Sequence, residues 1–233
     1  MPADPESPTA RGASRAGEVR DGASRGLRDV LPARFVQRAD ESDDAEFYAP
    51  TRLVTHIDDA TIAALTEFYR SVLRPGMRVL DLMSSWVSHL PAEMAFARVA
   101  GQGMNPEELA RNPRLTARVV QDLNRSPELP WDDRSFDAAL CAVSVQYSTR
   151  PLELFASVRR VLAPGGLFAV AISHRMFPTK AVAIWHPLDV ADRARLVGVY
   201  FRLAGGWTEP EIVDRSPAGA DPLVVVTARR EGS

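Results

Sequence analysis

A chain of 233 residues is long enough for one domain of about 150–200 residues and a tail. A net charge of -2 argues against a general polyanion-binding surface, so no nucleic-acid partner is expected. No apolar run approaches the roughly 18 residues of a membrane span, and the polar N-terminus carries Asp4 and Glu6 where a secretory signal needs an apolar core. A single cysteine, Cys141, excludes an internal disulfide and a cysteine metal cluster. A cytoplasmic protein without membrane contact is the expectation.

Residues 1–28 are rich in Pro, Ala, Gly, Ser and Arg and nearly free of large apolar side chains. Such a segment buries too little surface to offset its ordering entropy, so a disordered tail is expected. Residues 29–57 carry Asp40, Glu41, Asp43, Asp44 and Glu46 between Phe35 and the pair Phe47 and Tyr48. They read either as a solvated acidic linker or as a lid whose aromatics touch a pocket. A folded domain is expected over 58–233. Ile62, Leu65, Phe68, Tyr69 and Val72 recur at helical spacing, with Asp58 or Asp59 as cap and Arg74-Pro75-Gly76 as stop.

A strand is predicted at Met77–Leu82, a second at Ala97–Gly101, a short helix near Pro106–Arg111 and a third strand at Ala117–Gln121. The long apolar run Phe136–Val143 predicts a fourth strand, Pro151–Leu162 an amphipathic helix and Leu167–Ile172 a fifth strand. A helix over Asp189–Leu203 and strands near Glu211–Asp214 and Leu223–Ala228 complete the chain. Strands alternating with helices predict an α/β, doubly wound, mostly parallel sheet with helices on both faces.

The turn after the first strand reads Asp81-Leu82-Met83-Ser84-Ser85-Trp86-Val87-Ser88. A nucleoside-binding enzyme of this class normally places glycine here, so that backbone can approach its ligand. Pro91 fits only the first turn of a following helix, which is therefore expected to begin near Ser88.

Two downstream segments are specific. Leu129-Pro130-Trp131-Asp132-Asp133-Arg134-Ser135-Phe136-Asp137 leads into strand four, and Val158-Arg159-Arg160-Val161-Leu162-Ala163-Pro164-Gly165-Gly166 turns into strand five. In both, and in the order of elements from Leu53 to Arg229, the chain resembles the class I S-adenosylmethionine-dependent methyltransferases of the small-molecule, type 11 branch. The resemblance implies a seven-stranded sheet in the order 3-2-1-4-5-7-6 with the last strand antiparallel. It also implies S-adenosylmethionine as cofactor and methyl transfer to an unidentified small-molecule acceptor; it implies no oligomeric state.

By the same resemblance Asp81 matches the acid near the methionine end of the cofactor, where a carboxylate accepts from an ammonium. The loop glycines would fall at Met83, Ser85 and Val87. The acid that binds the ribose hydroxyls would fall at Gly103, with Met104 beside it, and Asn105 or Gln102 offers a neutral substitute. Asp122 matches the acceptor for the adenine amino group, Leu123 would face the ring, and Ser144 lies where strand four ends. Ser84, Ser85 and Ser88 add hydroxyls. Trp86 either stacks on the ligand or fills the emptied pocket.

Methyl transfer from a sulfonium asks mainly for positioning, with a base where the acceptor carries a proton. Tyr147 and His174 are the expected acceptor-side residues, His174 being on the rim past strand five; His56, under the lid, His89 and His186 are further candidates. Lys180 is the only lysine among many arginines. At the start of a predicted short helix, beginning at Pro178 or Thr179, it suggests a specific contact to a lid acid or an acidic substrate. No metal ligand set is recognised. The rival expectation is a methyltransferase-like protein that is catalytically silent, or whose pocket runs a non-methylating reaction, because the loop glycines and the ribose acid are replaced.

Overall fold

A computed structural model describes residues 30–232; the tail expected over 1–28 lies outside the described residues. Strand β1 (Arg78–Leu82) is central because Val79, Leu80 and Leu82 bury side chains on both sides of the pleat. It pairs in parallel with β2 (Arg98–Gly103) and β4 (Phe136–Ala142). Strand β3 (Ala117–Val120) extends the sheet beyond β2, and β5 (Leu162–Ile172) extends it beyond β4. Strand β7 (Val224–Arg229) runs antiparallel between β5 and β6 (Glu211–Asp214). The resulting order is β3-β2-β1-β4-β5-β7-β6, as the resemblance implies.

Alternate residues of each strand face opposite cores. Val79, Ala138 and Leu140 pack with Leu65, Phe68 and Tyr69 of the helix Asp59–Val72, which Asp58 caps through the Thr61 N–H at 2.8 Å. Leu80, Leu82, Ala139 and the buried thiol of Cys141 belong to the opposite core, with the helices Pro151–Val161 and Val190–Ala204. No helix among the described residues is long and apolar enough to cross a membrane.

Two local expectations are corrected. No helix begins near Ser88, and residues 83–97 cross to β2 as irregular backbone. The Ser88 hydroxyl does not cap a helix; it donates to Asp81 Oδ2 at 2.6 Å, and His89 turns left-handed at φ 53°. Nor does a helix start at Pro178 or Thr179. Those residues form a turn, and the only helical piece nearby is the 3₁₀ turn Ala183–Trp185.

Candidate active site

The strand order reverses between β1 and β4, and a cavity of about 140 Å³ opens outside the carboxyl ends of these strands. Its walls come from Asp81–Ser85 at the end of β1, Gln102, Met104 and Asn105 at the end of β2, Gln121–Asn124 after β3 and Ala142–Ser144 at the end of β4. Segment 44–57 covers it.

Asp81 is buried at the floor. Burial pushes its pKa up to about 6, although the hydroxyls of Ser84 and Ser88, both 2.6 Å from Oδ2, work in the other direction. The loop above it is held by hydrogen bonds in place of glycine geometry. Gln102 Oε1 accepts the Met83 N–H at 3.0 Å, the Gln102 carbonyl accepts the Ser84 N–H at 2.7 Å, and Gln102 Nε2 donates to the Gln121 carbonyl at 2.7 Å. Met83 stands at φ 51°, a left-handed conformation that a side chain disfavours. Val143, at the end of β4 on the cavity wall, has φ 48°, rarer still for a β-branched residue.

Gly103 is where the loop meets β2. A Cβ on it would lie 2.3 Å from the Ser84 carbonyl oxygen, so no acid can replace it while the loop takes this path. Gly103 does not line the cavity. Neither neutral substitute is free. Gln102 is occupied as described, and Asn105 caps the helix Pro106–Arg111 through Oδ1 while Nδ2 donates to the Tyr48 and Ala49 carbonyls at 3.0 Å.

The acid that does reach this wall is Glu108, which sequence reasoning does not single out. Its Oε2 accepts from Ser85 Oγ at 2.6 Å and its Oε1 from the Arg52 N–H at 2.7 Å, and it lines the cavity. A signal is present in the chain: Asn105 and Glu108 stand at capping-box spacing. In the structure the glutamate turns toward the loop and the lid. Asp122 also lines the cavity; its Oδ1 accepts the Asn124 N–H at 2.8 Å.

Of the other predicted residues, Met83, Ser84, Ser85, Met104, Leu123, Ser144 and Tyr147 line the cavity. Trp86 and His174 do not. Trp86 neither stacks in the cavity nor fills it; its indole N–H donates to the Val54 carbonyl at 3.0 Å and ties the loop to the covering segment. His174 is half exposed, with Nε2 3.4 Å from Asp221 Oδ1. The Tyr147 hydroxyl accepts the Phe177 N–H at 2.8 Å, and its ring stacks on Phe177 with centroids 5.7 Å apart. Burial holds the Tyr147 hydroxyl above its ordinary pKa.

The covering segment is pinned by buried charge. Asp44 accepts from Arg38 at 2.8 Å on both oxygens and from Asn124 Nδ2 at 2.8 Å, and lies 3.1 Å from Lys180 Nζ. Lys180 has no exposed surface and donates to the Ser42 carbonyl at 2.8 Å. The contact to a lid acid suggested by its sequence position is therefore present. Main-chain bonds from Asp40 to Thr179 and from Ala183 to Gln37 close the same seam. No group of three or more His, Cys, Asp or Glu side chains suited to a metal occurs among the described residues.

Besides Asp44, which is taken up by Arg38 and Lys180, three carboxylates, Asp81, Glu108 and Asp122, thus line one cavity. S-adenosylmethionine has three matching donor groups: an ammonium, a ribose diol and an adenine amino group. The acceptor set of this cavity fits that cofactor.

Comparisons with known proteins agree with the architecture. Residues 84–170 match the family model described as "Methyltransferase domain" (type 11). An uncharacterized methyltransferase of Synechocystis is 29% identical over 122 residues, 51% of this chain and 56% of that protein. The biotin biosynthesis bifunctional protein of Teredinibacter turnerae is 46% identical over 57 residues, 24% of this chain and 10% of that protein. The chain spans only 10% to 56% of the length of the curated relatives it matches. Among solved structures, the cyclase SpnF superposes with a TM-score of 0.56 at 18% identity, over 79% of this chain and 90% of its own, which shows the shared fold. Residues 84–170 thus match a methyltransferase domain of type 11, and the sheet order is the one that the resemblance to the class I S-adenosylmethionine-dependent methyltransferases implies.

Proposed function

We propose that the protein transfers a methyl group from S-adenosylmethionine to a small-molecule acceptor bound under the segment 44–57, which serves as a lid. The observation that carries this reading is that Asp81, Glu108 and Asp122 line one cavity. Asp81 accepts the ammonium, Glu108 takes the place of the missing acid at Gly103 and accepts the ribose hydroxyls, and Asp122 accepts the adenine amino group beside Leu123. The cofactor supplies an activated methyl with a neutral leaving group. The chain's part is to orient it, to exclude water and to seat the acceptor in line. Ser84 and Ser88 hold the Asp81 carboxylate in place, while Ser85 and Arg52 hold Glu108. Ser144 and Tyr147 form the acceptor side, and the buried Arg38–Asp44–Lys180 cluster keeps the lid closed over it.

Calorimetric titration with S-adenosylmethionine and S-adenosylhomocysteine tests the reading. Micromolar binding that weakens in Asp81→Asn and Glu108→Gln is expected. No heat at millimolar ligand would overturn it. A second reading, the same cavity turned to a non-methylating reaction, draws on the Ser84 carbonyl seated against Gly103, and on the cyclase among the fold's neighbours.

A further inference from the structure

We infer that the acceptor is a flat ring bearing an acidic hydroxyl, and that one imidazole of the pair His56 and His89 receives its proton. The inference rests on the methyl-transfer reading above. Of the chain's four histidines these two line the cavity. Their ring nitrogens have no hydrogen-bond partner among the described residues. The other two are engaged elsewhere, His174 beside Asp221 and His186 beside the Ala181 carbonyl at 3.3 Å.

His89 is held in place with unusual backbone. Its φ of 53° belongs to a region that residues with side chains seldom enter, and its carbonyl is fixed by the Thr66 hydroxyl at 2.9 Å. His56 meets the edge of Phe177 at a centroid distance of 5.2 Å, and both rings line the cavity.

The other titratable groups facing the cavity already carry donors or cannot accept. Asp44 is held by Arg38, Asn124 and Lys180; Asp81 by two serine hydroxyls; Glu108 by Ser85 and Arg52; Asp122 by the Asn124 N–H. The Tyr147 hydroxyl accepts from Phe177, and burial holds the Tyr48 and Tyr147 hydroxyls protonated. Burial lowers the pKa of both imidazoles, so they stand as neutral acceptors near pH 7.

The shape of this end of the cavity defines the acceptor. The rings of Phe177, Tyr147, Tyr48 and His56 line it, which suits a flat ring. Arg52 lies over Phe177 at 5.7 Å and favours an acceptor that becomes anionic over one that is cationic. In the step, the hydroxyl proton passes to an imidazole nitrogen. The oxygen forms the new O–C bond as the cofactor's S–C bond breaks, and that electron pair stays on sulfur. The imidazolium then returns its proton to water.

4-Nitrophenol tests this, because its absorbance distinguishes phenol from phenolate. With saturating S-adenosylhomocysteine and pH below the probe's own pKa, the wild-type chain should bind it as phenolate. The phenolate band should disappear in the His56→Gln/His89→Gln variant and persist in His186→Gln. A probe that fails to bind at millimolar concentration, that binds wild type as phenol, or that keeps its phenolate band in the double variant would overturn the inference. If the double variant does not fold, nitrogen-15 histidine spectra of the wild type decide. One imidazole, that of His56 or His89, becoming imidazolium on probe binding is the expected result; two that stay neutral would refute it. S-adenosylhomocysteine binding measured in the same samples separates the two failures: its loss removes the methyl-transfer reading, and its retention without a phenolate band removes only the proton acceptors.

Discussion

Lys180 Nζ lies 3.1 Å from Asp44 Oδ1 with both side chains buried, so the lid is fastened by charge removed from water. Deleting one partner of a buried pair typically costs about 3–5 kcal/mol. Arg38 remains on both oxygens of Asp44, so Lys180→Met is expected to cost less, about 2 kcal/mol. Urea titration measures the loss, and limited proteolysis should show faster cutting within 37–57. An unchanged midpoint with unchanged protection would mean that the lid does not depend on this ammonium.

The same cluster sets an acid limit. Burial alone would raise the Asp44 pKa, but hydrogen bonds from Arg38, Asn124 and Lys180 outweigh it and hold the carboxyl below its ordinary 3.8. A depressed carboxylate stabilises the fold above its unfolded value and loses that contribution as pH falls through the lower folded value. Lid protection should therefore be constant from pH 7 to about 4 and fail only below that range. Proteolysis by an acid-active protease follows it.

Asp81 has the opposite sign. Its folded pKa of about 6 lies above the ordinary 3.8, so its contribution is fully present below 3.8 and is lost as pH rises through 6. Keeping the buried carboxylate ionised at high pH costs the fold about 3 kcal/mol. Asp81→Asn escapes this cost while still accepting from Ser84 and Ser88. It should gain about 1–3 kcal/mol at pH 8 and almost nothing at pH 3. It should also lose S-adenosylhomocysteine binding, whereas the wild type binds more tightly as pH rises through 6. Denaturant melts and calorimetry on the same variant check both halves; a destabilised variant at pH 8 would contradict the burial argument.

Gly103→Ala tests the crossing of the loop over β2. The added Cβ would meet backbone at 2.3 Å, which cannot move away as a flexible side chain would. A loss of about 1–3 kcal/mol, with weaker ligand binding, is expected. Wild-type stability would show that the loop takes another path.

Glu108→Gln keeps the geometry and removes the charge, since the amide oxygen can take the Arg52 N–H while the amide nitrogen donates to Ser85. The fold should be unaffected and S-adenosylhomocysteine affinity should drop about tenfold. Equal affinities would take Glu108 out of the ligand site.

The sheet is legible in the chain because its strands are short apolar runs between turn residues, and because the approaches to β4 and β5 are specific. The segment after β1 is not. Pro91 reads as a helix start, but the pull of Asp81 on Ser88 acts across seven positions and leaves no trace in local pattern. Lys180 stands out by composition, and its partners in 40–44 belong to the acidic run that reads as a lid. Glu108 is hidden because its spacing from Asn105 fits an ordinary helix cap. His174 has the favourable place on the rim; only coordinates show that its ring turns to Asp221 and leaves the cavity wall to His56 and His89.

The chain's single thiol, Cys141, sits in β4 at 1% exposure, and burial raises its pKa to about 12. Thiol reagents act on the thiolate, so the native molecule is silent to them. Its reaction rate with a maleimide therefore times the opening of the central sheet. A cysteine introduced on the lid would be the only site labelled under native conditions, ready for a fluorophore that watches the cover move.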